Sequence, residues 1–157
     1  MRLLGIDPGT ATTGYGVIDK SACDKIQVIT YGIIQTQADL SPDCRLQIIY
    51  HDVFNLIEEF MPDIMAIEQL FFFKNQKTII TVSQARGVIL LAARECNIQI
   101  VEYTPLQVKQ ALTGYGKASK KEVQEMLKIM LDLDRIPSPD DAADAVAIAL
   151  CHANTIF

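Results

Sequence analysis

Four acidic residues stand where an acid is costly to place. Asp7 closes the apolar run LLGI, Glu68 closes IMAI, and Asp141 and Asp144 fall in the alanine-rich stretch DDAADAVAIA. A carboxylate at the end of a buried strand needs hydrogen bonds, a cation or a metal, because an isolated buried charge is prohibitively unfavourable. Asp141 and Asp144 are three apart and share one helical face; Asp140 and Asp144, four apart, do so as well. Carboxylates that converge without a cationic neighbour repel one another unless a divalent ion satisfies them. An all-oxygen donor set lacking His and Cys favours Mg²⁺ or Mn²⁺ over zinc. Such ions in pairs support phosphodiester hydrolysis, by activating water and stabilising the leaving oxygen. Each acid also has a plainer explanation. Asp7 could cap the turn that follows it, and Glu68 could pair with Lys74. Asp140 and Asp141 could serve only as first-turn acids beside the Ser138 cap, favoured by the helix dipole. Placement of all four positions on one edge weighs against these explanations jointly.

The elements that must do the placing are legible in outline. Residues 2 to 7, 14 to 19 and 26 to 36 read as strands, joined by connections short enough for an antiparallel meander. Ser41-Pro42 marks a helix start, with Ser as cap and Pro at the first helical position. Leu46, Ile49, Val53, Ile57 and Phe60 follow at helical spacing, and the helix stops before Pro62. Residues 64 to 67 form a short apolar strand ending at Glu68. The next helix, 76 to 95, carries Val88-Ile89-Leu90-Leu91 on more than one face, so it is buried centrally or at a subunit interface. Ile98 to Val101 is a strand, and Thr104-Pro105 begins a short helix. Ser119 with Glu122 forms a capping box for another, and Ser138-Pro139 opens the last. The order β-β-β-α-β-α-β-α-α-α predicts an α/β fold: one domain over residues 1–157, with a five-stranded mixed sheet flanked by helices. If strands one and four are parallel neighbours, Asp7 and Glu68 leave the same carboxyl edge, where sites in such sheets lie. Gly9, Gly14 and Gly16 either permit a tight hairpin or let bare backbone N–H groups approach a phosphate.

Charge and composition add boundaries. The chain is −5 overall. Residues 74 to 128 hold nine basic and four acidic residues, which is +5 and leaves −10 elsewhere. A chain acidic on average can thus still present a basic face to nucleic acid, although solvated helix faces explain the charge equally well. Cys23, Cys44, Cys96 and Cys151 show no C-x-x-C spacing and read as reduced thiols of a cytoplasmic protein. The longest apolar run, VILLAA, is far short of a membrane span, and no signal-peptide pattern opens the chain. His51 and His152 lack partners for a catalytic triad and read as structural.

The stretches GIDPGTATTGYGVID, AIEQLFF, QARGV, TPLQVKQALTGYGKASKKEV and DDAADAVAIA occur in this order and spacing. Together they resemble the RuvC family of Holliday junction resolvases, over about residues 1 to 153. The resemblance implies an RNase H-like fold and a homodimer that cuts four-way DNA junctions with two Mg²⁺ ions per subunit, for which Mn²⁺ can substitute. It also implies the branch-migration proteins RuvA and RuvB as partners. By position it makes Asp7, Glu68, Asp141 and Asp144 the metal-binding catalytic carboxylates, with Asp140 an extra acid. Phe71 matches a base-stacking position beside Lys74, with Phe72 or Phe73 given to core or dimer contacts. Lys109 and Lys120 match lysines at the backbone near the scissile phosphate, and Lys117 and Lys121 are auxiliary contacts. Tyr115, between two glycines, reads as turn packing. Two other functions remain open: an RNase H-like nuclease acting on RNA, and a catalytically silent junction-binding protein.

Overall fold

Leu3, Leu4 and Ile6 are fully buried, which places the first strand at the centre of the sheet rather than at its rim. The structure is a computed structural model and describes residues 1–69 and 76–155. Strand β1 (Arg2–Asp7) pairs antiparallel with β2 (Thr12–Lys20), and β2 with β3 (Ile26–Gln35), as the short connections predict. On its other side β1 pairs in parallel with β4 (Ile64–Glu68), which pairs in parallel with β5 (Gln99–Tyr103). The sheet order is β3-β2-β1-β4-β5. Strand order therefore reverses at β1, and β1 and β4 are the neighbours on which the carboxylate expectation depends.

Alternation of side chains along the strands divides the core in two. Leu4, Ile6 and Val17 face α1 (Pro42–Phe60) and α2 (Gln76–Glu95), meeting Ile49, Val53, Ile57, Ala85 and Ile89. Leu3 and Ile18 face α3 (Pro105–Thr113), α4 (Lys120–Met130) and α5 (Asp140–Thr155). Three layers result, helices on both faces of a mixed sheet.

Two helix starts follow their expected capping chemistry, whereas α5 begins at Asp140, with Pro139 and not Ser138 immediately before it. Thr104 with Gln107 and Ser119 with Glu122 each form a reciprocal capping box. Ser41 occupies the cap position of α1 but its side chain makes no capping hydrogen bond, so Pro42 alone carries that signal. Helix α2 buries one stripe, Ala85, Ile89, Ala92 and Ala93, while Ile80 and Leu91 stay 60% and 50% exposed. It is packed against the sheet on one side and carries apolar residues outward on another.

Two glycine expectations need correction. Gly14 and Gly16 are neither turn residues nor an open phosphate cradle; both lie inside β2, under α5. A Cβ on Gly14 would stand 1.9 Å from the carbonyl oxygen of Asp141, and one on Gly5 would stand 2.0 Å from that of Ala145. Only a strand without side chains there lets the alanine face of α5 settle on the sheet. Gly9 does sit in the β1–β2 turn, where a Cβ would meet the carbonyl of Thr12 at 2.2 Å.

Candidate active site

The parallel register of β1 and β4 runs to Ile6 opposite Ile67. One residue further along each strand come Asp7 and Glu68, side by side at the carboxyl edge. Gly14 lies directly across from Asp7 in the antiparallel pair and directly beneath the backbone of Asp141. The same glycine thus brings the start of α5 down onto the end of β1. Asp141 and Asp144 are half-buried, while every residue from Ala145 to Ala153 is buried.

Electrostatics shows that the four acids share one region. Burial raises the Asp7 carboxyl to about 7, with Glu68, Asp144 and Asp141 adding to the rise and Lys120 opposing it. Burial likewise raises Glu68 to about 7, with Asp144 adding and Lys109 and Lys120 opposing. Among the described residues neither carboxylate accepts a hydrogen bond or forms an ion pair. The turn-cap explanation of Asp7 therefore fails, and the pairing of Glu68 with Lys74 lies outside the described residues.

Lysines border the acids unequally. Lys120 Nζ lies 2.8 Å from Asp144 Oδ2 and 3.2 Å from Asp140 Oδ2. Partial burial lowers the Lys120 pKa, but the pairing with these two acids prevails and raises it. Lys109 and Lys120 line a cleft of about 240 Å³ with Glu68, Asp144, Pro105 and Val108. Lys117 is exposed in the α3–α4 connection, and Lys121 lines a different groove with Tyr115, Glu122 and Met126. Tyr115 is 60% exposed, so it does not pack its turn as expected. Phe71 and Lys74, with Phe72 and Phe73, lie outside the described residues.

Two neighbours escaped the sequence reading. Gln124 donates to Asp140 (3.1 Å), joining Lys120 in tying α4 to the start of α5. Its spacing of four from Lys120 was an available signal. Arg45 of α1 donates to Thr36 and shares a cleft with the β1–β2 turn, a tertiary approach with no local signature. His152 is buried against Tyr103, whose hydroxyl meets its Nδ1 at 2.7 Å, whereas His51 is exposed. His51 stands edge-on to Tyr50. All four cysteines are free.

As a donor set, Asp7, Glu68, Asp141 and Asp144 suit a hard divalent cation: oxygen ligands, partly desolvated and mutually repelling. As placed, no group of three or more acids, histidines or cysteines among the described residues is arranged to grip an ion. Asp144 is paired with Lys120 at 2.8 Å, which sets a cation beside the acids.

A model of the family described as crossover junction endodeoxyribonuclease RuvC matches residues 3–152. The chain belongs to the RuvC family. The RuvC of Fusobacterium nucleatum is 53% identical over 156 residues, covering 99% of this chain and 82% of that one. That of Thermosipho melanesiensis is 54% identical over 153 residues, covering 98% and 97%. Among solved structures, T. thermophilus RuvC in complex with Holliday junction substrate superposes with a TM-score of 0.90 at 33% identity, over 98% of this chain and 94% of that one. The fold is RNase H-like, and the protein is a metal-dependent junction endonuclease of DNA recombination and repair. No helix among the described residues is long and apolar enough to cross a membrane.

Proposed function

We propose that this RuvC-family endonuclease cuts four-way junctions with Asp7, Glu68, Asp141 and Asp144, holding two Mg²⁺ ions among them. The observation that carries this assignment is the pair Asp7 and Glu68. Both are partly buried at the switch in strand order; Asp7 is repelled by Asp141 and Asp144 and Glu68 by Asp144, and among the described residues neither has a hydrogen-bonding partner. Bound there, the ions would supply an activated water and neutralise the departing 3′ oxygen, leaving a 5′ phosphate and a 3′ hydroxyl.

The chain's own residues do the rest. Asp7 and Glu68 sit on neighbouring central strands, so their separation is set by the sheet and not by a loop. Asp141 and Asp144 approach from one helix, whose distance to the sheet is set by Gly14, Gly16 and Gly5. Lys109 and Lys120 face the scissile phosphate from the α3–α4 side of the cleft. Lys120, paired with Asp144 and Asp140, holds a positive charge at the edge of the acids, where it would meet the substrate's phosphate. Phe71 and Lys74 receive opened bases and backbone, and Lys117 and Lys121 extend the contact along an arm.

The outward face of α2, with Ile80 and Leu91 exposed, is the surface on which two copies of the chain meet. A two-fold dimer matches two-fold DNA and places paired cuts on opposing strands. RuvA and RuvB are the expected branch-migration partners of this cytoplasmic enzyme. The reading is tested by incubating the protein with an immobile four-way junction, linear duplex and RNA–DNA hybrid, with and without Mg²⁺. Paired symmetric nicks in the junction alone, only with Mg²⁺, are expected. Preferential cutting of the hybrid would contradict it, as would tight junction binding with no cleavage at saturating Mg²⁺.

A further inference from the structure

A second cleft borders the carboxylates on the side away from Lys109 and Lys120. It has a volume of about 420 Å³, and its lining includes Gly9, Thr10, Arg45, Thr81 and Asp141. Asp141 is the link between this cleft and the proposed cutting site. A strand laid across that site with one flank against the two lysines has its other flank here.

The walls of this cleft are braced by side-chain hydrogen bonds. Inside the turn the Thr13 hydroxyl donates to the Gly9 carbonyl (2.7 Å), and Thr13 is fully buried. Towards α2 the Thr10 hydroxyl donates to the Thr81 carbonyl (2.9 Å). At the end of β3 the Thr36 hydroxyl donates to the Thr10 carbonyl (2.6 Å), and its backbone N–H donates to Ala11 (3.1 Å). Thr36 is itself 8% exposed, and its oxygen accepts the Nε–H of Arg45 at 2.7 Å. The guanidinium is thus held through one nitrogen. Among the described residues no hydrogen bond or ion pair engages its two terminal Nη groups.

A guanidinium fixed at one nitrogen, with a free two-nitrogen fork lining a cleft, is a bidentate receptor for a phosphodiester. We infer that Arg45, braced by Thr36 against the Gly9–Thr12 turn, binds a phosphate of the cleaved DNA strand beside the scissile one, on the flank opposite Lys109 and Lys120. The inference rests on the carboxylates being the cutting site. It adds to that site a second grip, so that the strand is held on both sides of the bond to be broken. Arg45 contacts backbone and not bases, so it contributes to affinity and register but not to sequence preference.

The test is junction binding by the full-length protein in Ca²⁺, read as the dependence of Kd on salt. Arg45→Gln keeps a donor for Thr36 but removes the cationic fork. It is expected to weaken binding by roughly 3- to 10-fold near 0.1 M salt and to flatten the slope of log K against log salt by about one. Arg45→Lys restores the slope. A junction carrying one neutral methylphosphonate, moved along the linkages flanking the cut, should show a position where wild type loses affinity and Arg45→Gln loses no more. An unchanged salt slope, or additive losses at every linkage, would overturn the inference. Failure of the wild-type protein to bind the junction would instead overturn the reading of the site on which it rests.

Discussion

Asp7 and Glu68 carry the clearest chemical consequence at the scale of single residues. Each carboxyl titrates near 7 in the folded chain and near its ordinary value, 3.8 and 4.5, when unfolded. Between those limits the folded state holds more protons than the unfolded one, so stability falls as pH rises. The penalty for burying the two charges is absent below about pH 4, grows through the interval and is complete above about pH 7. A divalent ion must displace those protons, so its stabilising effect should increase from pH 6 to pH 8. Thermal melting with and without Mg²⁺ at several pH values measures this. An Mg²⁺-induced rise in Tm that is equal at pH 6 and pH 8 would contradict the assignment. These two acids were legible in the sequence because each ends an apolar run. The tie of Asp140 to Lys120 and Gln124 was less so, since it depends on how α4 meets α5.

Gly14 is the decisive residue at the scale of elements, because it couples β1, β2 and α5 at one point. Gly14→Ala would force a methyl group to within 1.9 Å of a backbone oxygen that no side-chain rotation can move. The helix must lift, at a cost of about 1–3 kcal/mol for overpacking, which lowers Tm by several degrees. The lift also displaces Asp141 and Asp144 relative to Asp7, and a misplacement near 1 Å can cost about 10²-fold in rate. Gly14→Ala is therefore expected to lose far more cleavage than stability, read by single-turnover cutting alongside melting. Equal activity with a lowered Tm would show that the helix does not set the geometry. The elements and their order were readable from capping residues, prolines and apolar periodicity. The use of Gly14 and Gly16 was not. A glycine in a strand looks the same in sequence whether it serves a hairpin or the close approach of a helix from far along the chain.

At the scale of the whole molecule, the proposed dimer face on α2 would match the protein to the symmetry of its substrate. Leu91→Glu places a charge on an exposed position and leaves the buried stripe of Ala85, Ile89 and Ala92 untouched. The variant should stay folded, run as a monomer in light scattering, and lose paired nicking. A dimer of unchanged stability would remove α2 from the interface. Family membership was visible in the joint order of five motifs, whereas charge alone decided nothing: the −5 total conceals a +5 central segment. The most direct test of the central claim is Asp7→Asn, which alters one atom and keeps the size of the side chain. With Mg²⁺ and a four-way junction, cleavage should fall by roughly 10³-fold or more, about 4 kcal/mol of transition-state stabilisation, while junction binding is retained. Cleavage within a few-fold of wild type would show that the ions and the chemistry lie elsewhere.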